Sequence, residues 1–400
     1  MKGAHIPLLS THELQNPDRA GELALAVDFG TSVIRAALVD RAAGRTAAKA
    51  ACRNRLDRYG RDILARIACC GESPEKREEV FAQAALALDD VLSALEAECG
   101  MCVRRLPEMV LAANTTHMYL LLRQDPACIC MPPYDIPLHA PGFVDGHASG
   151  LPFAGRIYFV PCRANYLGGD VLCALLAADL RRLPDGSALF DMGENGELVI
   201  RKGDTLYCGS CAAGCAIRAD SPDGLCASDL TAAAALLWRT GVVNRRGRLQ
   251  AAGNPEVYPI QEEGKSRASL AVKLPDGRTL RQADMAEFMQ ARASVATMID
   301  YMAEAAGLEK EEISVMTLTE RFGAALDPQD AADTGLLPLS DQTVIKKQEH
   351  AALDGAIMLL LDPHGFAELD LLYGKLRYVQ LREVEDYLEL MLPNLQLPEL

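Results

Sequence analysis

Apolar and polar residues alternate in blocks that predict strand hairpins separated by helices. Two apolar runs, Leu23 to Val27 and Val33 to Val39, flank a short polar turn, which is the pattern of a strand, a tight turn and a second strand. The same pattern recurs near Ser187 to Ile200. Elsewhere, apolar residues three or four positions apart predict amphipathic helices. Hairpins and helices in both halves of the chain favour an α/β fold with two lobes.

The predicted elements are placed by local signals. Ser73 before Pro74 marks a helix start, and Asn114 is a typical helix cap. The predicted helices cover residues 62–70, 73–98, 115–122, 171–180, 230–239, 285–306, 350–361 and 384–391. Further strands are predicted at residues 107–113, 156–161, 313–318 and 376–381. Residues 125–155 predict a long irregular connection, and residues 1–20 predict a flexible arm.

Both hairpins carry the same acidic turn. The first is Asp28-Phe29-Gly30-Thr31-Ser32, and the second runs from Asp191-Met192-Gly193 through Asn195-Gly196. Glycine lets the backbone approach a ligand, and successive N–H groups with small polar side chains can hold phosphate oxygens. A carboxylate at the strand end suits hydrated Mg²⁺. Such a turn occurs in many ordinary hairpins, so it is the pair in matching contexts that indicates a nucleotide site.

Composition narrows the function classes. The net charge of −15 argues against non-specific binding of nucleic acid or anionic membranes. No apolar run reaches the ~18 residues of a membrane-spanning helix, and the first residues do not resemble a secretion signal. These features predict a cytoplasmic protein without nucleic-acid or membrane partners.

The 13 cysteines all lie between Cys52 and Cys226. Their odd number in a long chain favours reduced thiols over disulfides. Cys99–Cys102 and Cys208–Cys211 form CxxC pairs, and Cys215 extends the second. An iron–sulfur or zinc site is therefore one alternative, and small buried residues are the favoured one. His139 and His147, which flank a loop rich in proline and glycine, are interpreted as loop histidines rather than metal or cobalt ligands.

The order and spacing of several motifs over residues 23–395 resemble the actin/sugar-kinase ATPase superfamily. Within it, the chain is most similar to the ATP-dependent reductive activators of corrinoid proteins. The stretches that carry the resemblance are Ala26 to Thr31, Tyr59-Gly60 with Asp62-Ile63 and Arg66-Ile67, Asn114-Thr115-Thr116 with Leu120, Asp191 to Gly193 with Asn195-Gly196-Glu197, Ala212-Ala213-Gly214 with Ala216, and Phe322-Gly323 with Gly335 to Pro338.

The resemblance implies a two-lobed, duplicated RNase H-like fold with a central cleft, the lobes covering residues 21–183 and 184–400. It implies that ATP phosphates contact Gly30, Thr31 and Ser32 in one loop and Gly193, Asn195 and Gly196 in the other. Asp28 and Asp191 would hold Mg²⁺ through water. Ala213, Gly214 and Gly323 would approach the nucleoside. Asp170 would orient the attacking water or act as the base, with a plain helix N-cap as the alternative; Asn195 has a structural alternative, a turn of positive φ.

Three departures from the family alter the expectation. Family members carry an N-terminal iron–sulfur domain, whereas the first phosphate loop begins here near residue 26. We therefore expect no iron–sulfur cluster, and we expect a separate electron donor. Ile217-Arg218-Ala219 stands where the family has Phe-Glu-Gly. Thr319-Glu320-Arg321-Phe322-Gly323 stands where it has Ala-Gly-Ala-Phe-Gly. The phosphate half of the site is therefore expected to be kept and the nucleoside half altered.

The function implied is an ATP-binding and ATP-hydrolysing activator of the corrinoid protein of a methyltransferase system, which couples ATP turnover to reduction of Co(II) to Co(I). The main alternative is a non-catalytic scaffold of the same fold. A metal–sulfur protein using Cys208, Cys211 and Cys215 is a further alternative, as is a small-molecule kinase, for which no acceptor signature is present. A homodimer is one option for the oligomeric state.

Overall fold

The computed structural model describes residues 21–60, 62–193, 195–213, 225–261, 268–384 and 386–399. They divide into two compact units. The first contains the described residues up to Asp179 together with His350–Lys375. The second contains the described residues of Leu180–Glu349 and those from Leu376 onward. Residues 350–375 thus belong to the first unit, although a division into two continuous lobes places them in the second.

The first unit is a sheet with helices packed against it. Its strands are β1 (Leu23–Phe29), β2 (Val33–Asp40), β3 (Arg45–Arg53), β4 (Glu108–Ala113), β5 (Gly142–Asp145) and β6 (Arg156–Phe159). Its α-helices are α1 (Ile63–Gly71), α2 (Pro74–Cys99), α3 (Thr115–Leu121), α4 (Ala127–Cys130) and α5 (Gly169–Ala177), with α10 (Ala351–Leu361) and α11 (Gly365–Lys375) from the later segment. A 3₁₀ turn covers Arg55–Tyr59.

The strands of this unit that the structure describes form one sheet in the order β3-β2-β1-β4-β6-β5. β1 is antiparallel to β2 and parallel to β4, and β4 is parallel to β6. Leu25, Val27 and Phe29 point to the face covered by α2. Ala24, Ala26 and Asp28 alternate with them and therefore point to the other face. The two alanines leave room there for α10, which packs on β1.

The second unit repeats this plan. Its strands are β7 (Ser187–Met192), β8 (Asn195–Lys202), β9 (Thr205–Ala212), β10 (Val257–Ile260), β11 (Ser269–Lys273), β12 (Thr279–Arg281), β13 (Val315–Thr319), β14 (Val344–Gln348) and β15 (Leu376–Tyr378). Its α-helices are α6 (Ala227–Arg239), α7 (Gln282–Ala305), α8 (Glu320–Ala325), α9 (Pro328–Asp333) and α12 (Tyr387–Met391).

Its larger sheet, within the residues described, has the order β14-β13-β7-β8-β9-β15. β7 is antiparallel to β8 and parallel to β13, as β1 is to β2 and β4. Phe190 and Met316 form a core with Met298 and Met302 of α7. The strands β10, β11 and β12 form a small separate sheet. Both units therefore place an antiparallel hairpin beside a parallel strand, which is the duplication that the repeated acidic turn predicts.

Most predicted elements are present in the structure, and a few elements were not predicted. Ser73 caps α2, since its side chain accepts a hydrogen bond from the Lys76 N–H at 3.1 Å. β3 was not predicted, because its sequence RTAAKAACR has few β-branched or aromatic residues. Helix α11 and strand β14 were also missed. None of the helices in the described ranges combines the length and apolar composition that crossing a bilayer requires.

Candidate functional site

Asp28 lies at the carboxyl end of β1, one residue before its last. Its side chain is buried, and in the hairpin register it lies opposite Arg35 of β2. Arg35 Nη1 donates a hydrogen bond to Asp28 Oδ2 at 3.3 Å. Burial raises the pKa of Asp28, and the charge and hydrogen bond of Arg35 oppose this rise. The carboxylate is thus held in a site whose environment favours additional positive charge, as a divalent cation would supply.

The carboxyl group of Asp170 interacts electrostatically with that of Asp28. Burial, and then the charge of Asp28, raise the pKa of Asp170 to about 7. Asp170 is not the N-cap of α5, which is Gly168; its Oδ1 accepts from the Val171 N–H at 2.9 Å. A Cβ on Gly168 would lie 2.5 Å from Asn114 Cα, so the start of α5 approaches the end of β4 closely. The structure therefore brings Asp28 and Asp170 together within the first unit.

The turn that follows Asp28 has its carbonyl groups fixed by the scaffold. Gly30 is required by the turn, because a Cβ there would lie 2.5 Å from the Val33 carbonyl oxygen. The carbonyl oxygens of residues 29, 30, 31 and 32 accept hydrogen bonds from, in order, His117 Nδ1, Asn54 Nδ2, Arg66 Nη2 and the Asn54 N–H. A trans peptide points its N–H opposite to its carbonyl. The N–H groups of residues 30–33 consequently face away from these donors, as anion binding by a loop requires.

Asp191 occupies the equivalent position in the second unit. It is one residue before the end of β7, is buried, and lies opposite Thr319 of the parallel strand β13. The Gly193 N–H donates to the Asn195 carbonyl at 3.1 Å and closes the turn. Gly196 has a packing reason, since a Cβ there would lie 2.8 Å from the Phe190 ring. Asn195 begins β8, where it pairs with Ala212 of β9, and its structural alternative stays a prediction.

The residues predicted to approach the nucleoside differ from one another in their surroundings. Ala213 is fully buried in the core of the second unit, and a Cβ on Gly323 would lie 3.1 Å from Leu318 Cβ. Glu320 has φ of +59°, a conformation that favours glycine, and begins α8 directly after β13. Gly214, Arg218 and Cys215 lie outside the described residues.

Two further residues of the first site were not found from the sequence. Arg35 could have been found, because the antiparallel register of the hairpin places it opposite Asp28. His350 precedes α10, far along the chain, and contributes an electrostatic interaction to Asp28. Its Nδ1 is buried and has no hydrogen-bond partner. No local pattern could have indicated this residue, because only the return of residues 350–375 to the first unit brings it there.

The cysteine metal site that the sequence offers as an alternative is not formed by the described residues. Cys208 and Cys211 are three positions apart on β9 and therefore point to opposite faces of the sheet. Burial raises the pKa of Cys211 to about 12, which disfavours the thiolate that metals require. His139 and His147 are exposed. Within the described ranges, no group of three or more His, Cys, Asp or Glu side chains is placed to hold a metal ion.

Comparison with known proteins places this arrangement in a family. Residues 23–183 match the RACo middle region, and residues 216–400 match the C-terminal domain of RACo, the ASKHA domain. The chain belongs to the RACo family. The first match includes the first acidic turn and Asp170, and the second match includes His350. The actin/sugar-kinase-like fold expected from the motifs is thereby confirmed.

Two individual proteins are similar to this chain. The corrinoid activation enzyme RamQ of Eubacterium limosum is 22% identical over 84% of this chain and 64% of its own length. A solved structure of a reductive activator for a corrinoid iron–sulfur protein has a TM-score of 0.81 and 24% identity, covering 94% of this chain and 66% of its own. That likeness shows the fold. The chain spans 64% and 66% of the lengths of these two proteins.

Proposed function

We propose that this RACo-family chain binds and hydrolyses Mg-ATP and uses the turnover to activate a corrinoid protein. The observation that carries the proposal is the construction of the first phosphate loop. A buried carboxylate lies one residue before the end of β1, and the four following carbonyl groups all accept hydrogen bonds from the scaffold. An ordinary hairpin turn has no need of three side chains that fix its peptide orientation, whereas a loop that binds phosphate does.

The residues present fit Mg²⁺ and a polyphosphate. Asp28 and Asp191 are oxygen donors at strand ends, and Mg²⁺ prefers oxygen ligands with several retained waters. Bound Mg²⁺ would neutralise phosphate charge in the transition state. Gly30, Thr31 and Ser32 would donate to the terminal phosphates, and Gly193, Asn195 and Gly196 to the others. Ala213, Gly214 and Gly323 would contact the nucleoside.

Asp170 is proposed to orient the attacking water and accept its proton. Its pKa of about 7 suits a base that works near neutral pH. Hydrolysis breaks the bond between the β,γ-bridging oxygen and the γ-phosphorus, forms a bond from water to phosphorus, and releases a proton. His350 stands on the same side of the sheet as Asp28 and would assist in holding negative charge there.

The partner is proposed from the relatives, which are activators of corrinoid proteins. Reduction of Co(II) to Co(I) takes one electron, and a separate low-potential donor, such as an iron–sulfur protein or flavoprotein, would supply it. The free energy of ATP hydrolysis would make this uphill transfer effective. We place the reaction in the cytoplasm, on the corrinoid protein of a methyltransferase system, and a homodimer is one option for the assembly.

The test is an anaerobic assay with a corrinoid methyltransferase subunit, a low-potential one-electron donor and Mg-ATP. Loss of the Co(II) electron paramagnetic resonance signal should depend on ATP and on this chain. Asp28→Asn and Asp170→Asn should each abolish the ATP dependence. Reduction at the same rate without ATP or without the chain would overturn the proposal.

A second candidate is a scaffold of the same fold that has lost efficient nucleotide use. The positive φ of Glu320 favours it, because a bulky residue stands where the backbone conformation suits glycine, directly after the strand that pairs with Asp191. Arg321 beside it is exposed. Activation of the partner by a chain that neither binds nor hydrolyses ATP would favour the scaffold over the ATPase.

A further inference from the structure

Arg66 is a fully buried arginine directly beneath the first phosphate loop. Its guanidinium donates to the Gly60 carbonyl at 2.9 Å, to His117 Nε2 at 2.7 Å and to the Thr31 carbonyl at 3.0 Å. Asp57 Oδ1, at 3.0 Å from Nη2, balances its charge. Burying a charged guanidinium is costly, and in some proteins buried ion pairs serve to specify one conformation.

The local fold is arranged to bring Arg66 to this position. Gly60 has φ of +141°, and a Cβ there would lie 2.4 Å from Ala65 Cβ. Only glycine therefore lets α1 begin so close to the preceding turn. Asp62 caps this helix by accepting from the Ala65 N–H at 2.7 Å. The turn and the cap together aim the first turn of α1, and with it Arg66, at the loop.

His117 connects Arg66 to the backbone next to Asp28 through hydrogen bonds. A guanidinium has no acceptor, so Nε2 of His117 must accept and the ring proton must be on Nδ1. Nδ1 then donates to the Phe29 carbonyl at 3.2 Å. Burial and the adjacent Arg66 charge lower the pKa of His117 well below its usual range, so the ring stays neutral. Phe29 also contacts the ring edge-on, with centroids 5.3 Å apart.

Two asparagines complete the arrangement. Asn54 Nδ2 donates to the Gly30 carbonyl at 2.9 Å, and Asn114 Nδ2 donates to Thr31 Oγ1 at 3.2 Å. Asn114 Oδ1 also accepts from the His117 N–H at 2.9 Å, which caps α3. Four side chains from three separate segments thus converge on residues 29–31. We call Asn54, Arg66, Asn114 and His117 the loop clamp.

We propose that the loop clamp is a set of positioning residues that holds the first phosphate loop ready for a terminal phosphate, and so sets the preference for ATP over ADP. This rests on the proposed function. The clamp side chains bond to carbonyl oxygens and to one hydroxyl, from the scaffold side of the loop. They fix the direction of the N–H groups without occupying the phosphate side themselves. Releasing a carbonyl lets its peptide rotate, and a rotated peptide presents an oxygen where phosphate needs a donor.

The test separates the two bonds of His117. His117→Gln keeps an acceptor near the Nε2 position for Arg66 but has no donor near Nδ1, whereas His117→Asn keeps a donor near Nδ1 and loses the acceptor. We expect His117→Gln to weaken Mg-ATP binding about 10- to 100-fold, the loss seen when a hydrogen bond that supports a metal ligand is removed, with a smaller loss for Mg-ADP. His117→Asn should lose less of the ATP preference. Calorimetric titration of each variant with Mg-ATP and with Mg-ADP measures the preference for ATP.

A milder variant and a matched control show whether the effect is specific to the loop clamp. Asn114→Ser retains a capping oxygen for α3 but loses the bond to Thr31, and should lower the ATP to ADP affinity ratio in the same direction. Glu108→Gln removes a buried charge that pairs with Arg41 at the opposite end of β4, and should leave the ratio unchanged. Amide hydrogen exchange of residues 29–33 without nucleotide should accelerate in His117→Gln and not in Glu108→Gln.

The outcomes distinguish the two levels of the proposal. If the wild-type chain binds no Mg-ATP, the proposed function fails, while the exchange rates still decide whether the clamp orders the loop. If the wild-type chain binds Mg-ATP but folded His117→Gln and Asn114→Ser keep its ATP to ADP ratio, the positioning role is wrong. Unchanged loop exchange in both variants would also overturn it.

Discussion

Replacement of Asp170 by asparagine should stabilise the nucleotide-free protein at neutral pH. Asparagine keeps the side-chain oxygen that accepts from the Val171 N–H but removes the ionisable group. Burial, and to a smaller extent the charge of Asp28, makes ionisation of this carboxyl unfavourable in the folded state. Removing one charge should relieve that cost, even though the same change should abolish ATP turnover if Asp170 orients the water.

The magnitude and sign of the expected stability change follow from the pKa values of Asp170 in the folded and unfolded protein. Asp170 has a pKa of about 7 in the folded protein and an ordinary value of 3.8. Between these values the folded state holds a proton that the unfolded state has released, so this group's stabilising effect is complete below pH ~4 and is lost as the pH rises through ~7. The difference corresponds to at most about 4 kcal/mol, and partial exposure reduces the expectation to about 1–3 kcal/mol.

Thermal denaturation of both proteins from pH 4 to pH 8 measures this difference. The melting temperature of Asp170→Asn relative to wild type should rise across that range. Asp229→Asn is the control: the Arg278 hydrogen bond lowers the pKa of Asp229 below its ordinary value of 3.8, so its contribution changes only below about pH 4 and the difference should stay nearly constant from pH 4 to pH 8. An Asp170→Asn difference that is independent of pH, as expected for the control, would refute the raised pKa of Asp170.

Three further predictions concern the scaffold. Gly355→Ala should destabilise by ~1–3 kcal/mol in denaturant titration, because its Cβ would lie 1.9 Å from the Cys173 carbonyl oxygen, whereas Gly374→Ala, with open space around it, should not. Glu320→Gly should raise the melting temperature by relieving a positive φ, and Glu320→Ala should not; equal effects would contradict the strain. Ser73→Ala should cost ~1 kcal/mol, and no loss of stability would mean that the cap of α2 is not important.

Local features of the fold were predictable because they depend on nearby residues. The hairpins, the caps at Ser73 and Asn114, and the long helix α2 are each encoded within a short window. β3 was not predictable, because its alanine-rich sequence has weak strand propensity and is held by pairing with β2. The assignment of residues 350–375 to the first unit depends on packing of α10 against α5, which no window reports.

The residues of the candidate site also divide into those that local sequence indicates and those that only the fold brings together. Asp28, Gly30 and Asp191 follow from the repeated turn, and Arg35 follows from the register of the hairpin. The role of Arg66 could not be predicted, because a buried arginine in a helix resembles a surface residue until its partners are placed. His350 reaches Asp28 only through tertiary structure. Sequence therefore indicates the chemical groups, and the supporting contacts require the fold.

Calorimetric titration of the wild-type chain with Mg-ATP tests the central claim most directly, with Asp28→Asn and Asp191→Asn titrated alongside. Binding by the wild type that is strongly weakened in each variant, with both variants folded by circular dichroism, is the predicted result. No heat of binding to the wild type at millimolar Mg-ATP would contradict the claim, as would binding that neither substitution affects.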